Sequence, residues 1–174
     1  MKKIIRLAGI FSLFFLMSQN GIAQDHTKMY FGPGMGLDYG GFGAKFEYLP
    51  VEKVGLFGGV GYNLLNVGWN VGVTYKIFLS DRVSINPMAF YGYNGVSVVK
   101  GASYYNKTSL GPTVGVNVDI KMRESNHKLS LGFFVPFRSQ EFKDNYDAMR
   151  NDYRVFLDGK LLPVAVGIGF NFAL

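Results

Sequence analysis

The last fourteen residues, Leu161 to Leu174, alternate strictly. Leu162, Val164, Val166, Ile168, Phe170, Phe172 and Leu174 are large and apolar, while Pro163, Ala165, Gly167, Gly169, Asn171 and Ala173 between them are small or polar. A period of two predicts a β-strand with one apolar face. The second face narrows the choice further. A strand lying on a soluble core shows charged or hydroxyl side chains to water, and glycine weakens it. An apolar outside backed by a small, polar inside suits a transmembrane β-barrel.

The same two-phase pattern recurs along the chain and predicts eight strands. The first carries Met29, Phe31, Met35, Leu37 and Tyr39 on its apolar face and Tyr30, Gly32, Gly34, Gly36 and Asp38 on the other, before a Gly40-Gly41 turn. The second and third place Phe42, Phe46, Leu56 and Val60 outward, with Lys45, Glu47, Phe57 and Gly59 inward. The fourth runs from Val67 to Leu79 with Lys76 inward, and the fifth from Val83 to about Val98 with Met88 and Phe90 inward. The sixth sets Val114, Val116, Val118 and Ile120 against Asn117, Asp119 and Lys121. The seventh begins at Leu129 and the eighth is the final stretch.

The expected architecture is an all-β, eight-stranded antiparallel up-and-down transmembrane barrel. An even strand number returns both ends to one side. With those ends periplasmic, the short turns Val51–Lys53, Ser80–Arg82 and Arg123–His127 fall inside and the longer loops Val99–Lys107 and Arg138–Lys160 outside, as such barrels require. Aromatic residues gather near the strand ends, with Tyr39, Phe42, Tyr62, Trp69, Tyr91, Tyr93 and Phe137 outside and Tyr48, Tyr75 and Phe172 inside.

The amino terminus agrees with that destination. Lys2, Lys3 and Arg6 precede an apolar run from Leu7 to Met17 and a small-residue Gly21-Ile22-Ala23. This pattern predicts a secretory signal peptide over residues 1–23, with the barrel domain over 24–174. Its removal takes three positive charges, so the formal +6 falls to 6 − 3 = +3. A balance that mild argues against nucleic-acid binding, which needs a concentrated basic face. The sequence contains no cysteine, which excludes disulfides, thiolate metal sites and a cysteine-linked lipid anchor. The structural rival is a soluble lipocalin-like barrel with the apolar face inward. Its water-facing side would then be rich in glycine and nearly free of charge, which disfavours it.

Several segments resemble the outer-membrane-protein β-barrel domain family, the PorT-like small barrels of Gram-negative bacteria. They are Tyr30-Phe31-Gly32-Pro33-Gly34, Gly41-Phe42-Gly43-Ala44-Lys45, the run from Leu56 to Asn63, Tyr91-Gly92-Tyr93-Asn94, Gly111-Pro112-Thr113-Val114-Gly115 and Val135-Pro136-Phe137-Arg138-Ser139. The resemblance implies an eight-stranded barrel of the outer membrane and cell envelope, offers no catalytic residue, and links some members to protein export or assembly.

Catalytic motifs are sparse. A serine hydrolase needs a positioned histidine, but His26 lies in the amino-terminal tail and His127 in an inner-side turn, and neither external loop has one. Ser84 and Ser130 are expected to face the lumen near the inner side with no identified partner. The glycines at 32, 34 and 36 lack phosphate-loop spacing. Asp144, Asp147, Asp152 and Asp158 lack calcium-loop spacing. The reading is therefore a non-enzyme with no cofactor and no metal.

Two groups of residues stand out instead. Asp38, Lys45, Glu47, Lys76, Asp119 and Lys121 point inward with both signs, and charges in so narrow a lumen need pairing, so they predict an ion-pair plug, with a small polar conduit as the alternative. The external loop from Arg138 to Lys160 interleaves five basic and five acidic residues with Phe142, Tyr146, Tyr153 and Phe156. That loop is the expected contact surface for a protein partner, either as a small ordered cap or as a solvated loop. The expected whole is a monomer bounded by outer-membrane lipid, with a filled lumen and a structural or interactional role. Assistance to protein export or assembly is the alternative, and passage of small apolar solutes the second.

Overall fold

The computed structural model of the chain describes residues 28–98, 106–151 and 162–174. The signal-peptide expectation, Tyr153, Phe156, Asp152, Asp158 and His26 lie outside those residues. The strands are β1 (Met29–Gly36), β2 (Gly41–Val51), β3 (Val54–Tyr62), β4 (Val67–Tyr75), β5 (Ile77–Phe78), β6 (Val83–Ser97), β7 (Lys107–Lys121), β8 (Lys128–Pro136) and β9 (Ala165–Ala173). Neighbours pair antiparallel from β1 to β4 and from β5 to β9, β1 pairs β9, and β4 pairs β6, so eight strands close into a barrel with the short β5 as an extra. One rim holds both ends of the barrel, Met29 and Ala173, and is called the terminal rim here. The other, where β1 turns into β2, is the distal rim.

The alternation sorts the wall into two faces. Phe31, Phe46, Val60, Val71, Phe133 and Val166 point outward and are exposed. The charged residues on the described strands are Lys45, Glu47, Lys107, Asp119, Lys121 and Lys128. Lys45, Glu47, Asp119 and Lys128 are buried inside, and half-buried Lys107 and Lys121 share the inward phase at the two ends of β7. The outer wall thus carries no charge along its strands among the described residues.

The first strand is shorter than its alternation predicts. It stops at Gly36, and Leu37–Tyr39 forms one 3-10 turn that folds into the lumen, where all three residues are buried. Leu37 and Tyr39 therefore do not face outward, and Tyr39 is not part of an aromatic girdle. The turn is possible because Gly36 (φ 145°) and Gly40 (φ 71°) adopt backbone angles that side-chain-bearing residues rarely reach. Space for it comes from the glycine lining. A Cβ at Gly59 would strike the Asp38 carbonyl, one at Gly68 the Gly40 carbonyl, and one at Gly34 or Gly169 the Tyr39 ring.

Two other departures have local causes. The fourth strand breaks at Lys76, although the register is the same on both sides (Thr74 opposite Met88, Ile77 opposite Ile85). Continuing that register sets Tyr75 opposite Pro87, which has no N–H to give the ladder. On the other edge the ladder with β3 continues, and the Lys76 N–H donates to the Lys53 carbonyl at 2.7 Å. In β6 the pairing with β7 slips between Tyr93 and Gly95, and Tyr93 turns inward, leaving the predicted outer girdle. Phe42, Tyr62, Trp69, Tyr91 and Phe137 are exposed near the distal rim, and Tyr75 and Phe172 near the terminal rim.

The long connection after β8 contains α1 (Gln140–Asn151). The Ser139 hydroxyl accepts the Phe142 N–H at 3.3 Å, as an N-cap does. Phe142 and Met149 on one side of α1 are buried. The Phe142 ring packs over Gly95, and Met149 Sδ accepts a hydrogen bond from Ser97 at 3.3 Å. The helix lies against the distal extension of β6, and Lys107 on β7 pairs with Glu141 at 2.5 Å.

Candidate functional site

The lumen gathers the buried charged side chains of the described residues, and it is built in layers. Nearest the terminal rim, four side chains, from β2, β7, β8 and the break after β4, form a closed ring of alternating charge. Lys76 meets Glu47 at 2.7 Å and Asp119 at 3.1 Å, and Lys128 meets Glu47 at 2.5 Å and Asp119 at 2.8 Å. Each is 4–5% exposed in its side chain. Thr74 donates to Glu47 at 2.9 Å and Ser130 to Asp119 at 2.6 Å, and Lys128 also lies 4.0 Å from the centre of the Tyr30 ring. Burying charges is costly unless each is paired and hydrogen-bonded, a condition this ring meets.

A second ion pair fixes the inward turn. Lys45 on β2 contacts Asp38 at 2.5 Å and sits 4.4 Å from the centre of the Tyr39 ring. The Asn70 side-chain amide donates to the Leu37 carbonyl. Tyr39 and Asn171 exchange hydrogen bonds at 3.1–3.2 Å, Asn171 donates to Ser130 at 2.9 Å, and Ser130 reaches Asp119. One continuous polar chain therefore runs from the inward turn to the ionic ring. Among the described residues, the three buried acids, Asp38, Glu47 and Asp119, match the three buried lysines, Lys45, Lys76 and Lys128.

An apolar layer lies across the lumen beside these networks. The Phe57, Phe90 and Phe134 rings stack edge-to-face at 5.7 and 5.6 Å, and Leu37, Met88 and Tyr93 join them. The cluster is fully formed by inward residues of β3, β6 and β8 together with the turn.

The structure brings together Asp38, Lys45, Glu47, Lys76 and Asp119 but not Lys121. Lys121 is half-buried at the terminal rim, beside a cavity of about 380 Å³ lined also by Asp81, Arg82 and Arg123. Its place in the ring belongs to Lys128, which sequence reasoning missed by starting the strand at Leu129. Extending the inward phase of Ser130 and Gly132 by one more position reaches it. Of the aromatic contact candidates, Phe142 is buried against the barrel and offers no outer surface, while Tyr146 is half-buried on α1.

Ser84 is buried on β6, opposite Asp119 on β7. Ser130 donates to Asp119. His127 Nδ1 accepts the Ala173 N–H at 3.1 Å, and its ring stands against Phe170 and Phe172 at 6.1 and 5.3 Å, tying the β7–β8 turn to the last strand. Asp144 accepts from Gln140 on α1 at 2.8 Å. At the distal rim, Arg138 donates to the Leu162 carbonyl at 2.6 Å and to the Asn94 carbonyl at 3.3 Å. Partial burial lowers the pKa of its guanidinium, which nevertheless stays charged at neutral pH.

Compared with protein-family models, curated proteins and solved structures, the chain matches none.

Proposed function

We propose that the protein is a small integral outer-membrane barrel with a filled lumen, whose role is structural or interactional and is exercised at the distal rim. One observation carries this reading: among the described residues, the outer wall is an apolar belt without a charged strand residue, while every strand charge is turned inward or ends β7. In water such a belt would be an unusually large exposed apolar patch. In lipid it is the expected surface, and a closed barrel leaves no backbone edge unsatisfied. Exposed aromatic residues toward both rims are consistent with interfacial girdles. Both ends would lie on the periplasmic side, with α1 and the β6–β7 extension outside.

The test is cell fractionation with protease shaving. The protein should sediment with the outer membrane and migrate faster unheated than boiled. Protease added to whole cells should cut between 138 and 162 and nowhere near the terminal rim. Recovery in a soluble fraction would overturn the reading.

A further inference from the structure

We infer that the lumen is a water-bearing passage closed by one apolar gate, the layer formed by Leu37, Phe57, Phe90 and Phe134. This rests on the membrane reading but asks more of the molecule than a filled, inert core. The starting observation is where unsatisfied polar atoms lie. Both side-chain polar atoms of Asn86, the Oδ1 of Asn117 and Asn94, and the hydroxyls of Thr113 and Ser109 are buried and have no partner among the described residues. These five residues stand on β6 and β7, and Asp38 Oδ1 on the inward turn and Asn70 Oδ1 on β4, which pairs β6, are likewise without a partner. An unpaired buried polar group is costly, so native proteins satisfy nearly all of them with protein or ordered water. Five residues of this kind along one strand pair describe a hydrated seam.

The register shows how the gate divides it. Rising from the terminal rim, Ser84 is opposite Asp119 and Asp119 opposite Ser130, which is the level of the ionic ring. Asn86, Asn117 and Gly132 form the next row. Met88, Gly115 and Phe134 follow, then Phe90 and Thr113, and finally Gly95 and Ser109. Asn86 and Asn117 thus lie below the aromatic layer, and Thr113, Asn94 and Ser109 beside or above it. Polar lining on both sides of one apolar constriction is the arrangement in which water is expelled from the narrow zone alone.

The experiment is osmotic water permeability of vesicles containing the full-length protein, with flotation confirming insertion. Wild type should shrink at the rate of protein-free vesicles. Leu37→Ser/Phe90→Ser should shrink markedly faster, whereas Phe133→Ser, altered at the neighbour of Phe134 that faces outward, should match wild type. A double variant that floats and migrates as a folded barrel yet stays at the protein-free rate would overturn the gate. Failure of wild type to float would instead count against the membrane reading. A second measurement needs no variant: in wild type, NMR should show water cross-relaxation to the side-chain amides of Asn86 and Asn117. Its absence would overturn the hydrated seam, whatever the variants do.

Discussion

Lys128 and Glu47 lie 81 residues apart in sequence, and their side chains meet at 2.5 Å across the inside of the barrel. Lys128 also holds Asp119, while Lys76 joins the same two carboxylates from the other side. The ring therefore ties β2, β7 and β8 to the end of β4 independently of the backbone ladder.

Removing one member should be costly, because its partners stay buried and charged. Lys128→Met leaves two buried carboxylates sharing one lysine, and breaking a buried pair costs about 3–5 kcal/mol. Lys121→Met, at the half-buried rim, should change stability by less than about 0.5 kcal/mol. Urea unfolding in lipid vesicles measures both. Equal effects would show that the ring is not what holds the terminal end closed.

The outward belt gives a second expectation. Phe133→Arg places a charge in the middle of the belt and should cost about 2–4 kcal/mol at a bilayer midplane. Phe133→Leu should be close to neutral. Refolding titrations into vesicles separate the two, and indifference to the arginine would mean that this face does not meet lipid.

The inward turn can be tested by coupling. Gly34→Ala should be destabilising because its Cβ meets the Tyr39 ring, about 2.5 Å from Cζ. In a Tyr39→Ala background that obstruction disappears. The double variant should be more stable than additivity allows, by about 0.5–3 kcal/mol, the range for residues in direct contact. Strict additivity would remove Tyr39 as the reason for glycine at 34.

The distal cap makes a fourth expectation. Replacing 139–158 with a short Gly-Ser linker should leave a folded, heat-modifiable barrel, because α1 packs on the β6–β7 extension rather than within the wall. The same replacement should abolish cross-links to any partner captured by the intact protein. Retention of every cross-link would move the search to the terminal rim.

The sequence disclosed the barrel because its signal is repetitive: each strand repeats the same alternation, so eight weak patterns reinforce one another. It disclosed most of the buried charges for the same reason, since Lys45, Glu47, Lys76 and Asp119 all sit in the inward phase. What it concealed are breaks in period. Leu37 and Tyr39 continue an outward alternation in letters, but the backbone at Gly36 and Gly40 turns them inside. Tyr93 is likewise turned by a slip in pairing that no residue type announces. Lys128 was hidden by a strand boundary set one residue late. In α1, a polar stretch with only Phe142 and Met149 to bury reads as a loop until the extended β6–β7 hairpin supplies a surface for it.

The Tyr39 ring lies over Gly34 on the first strand and Gly169 on the last, and its hydroxyl is bound by Asn171. These two strands are the ends that must find each other to close the cylinder, separated by nearly the whole chain. The turn is thus a latch whose keeper does not exist until β1 and β9 are side by side. Closure of the cylinder and docking of the turn become a single late event, so Tyr39→Ala should hasten unfolding more than it slows folding. Stopped-flow kinetics in both directions would reveal the reverse if the turn docks early.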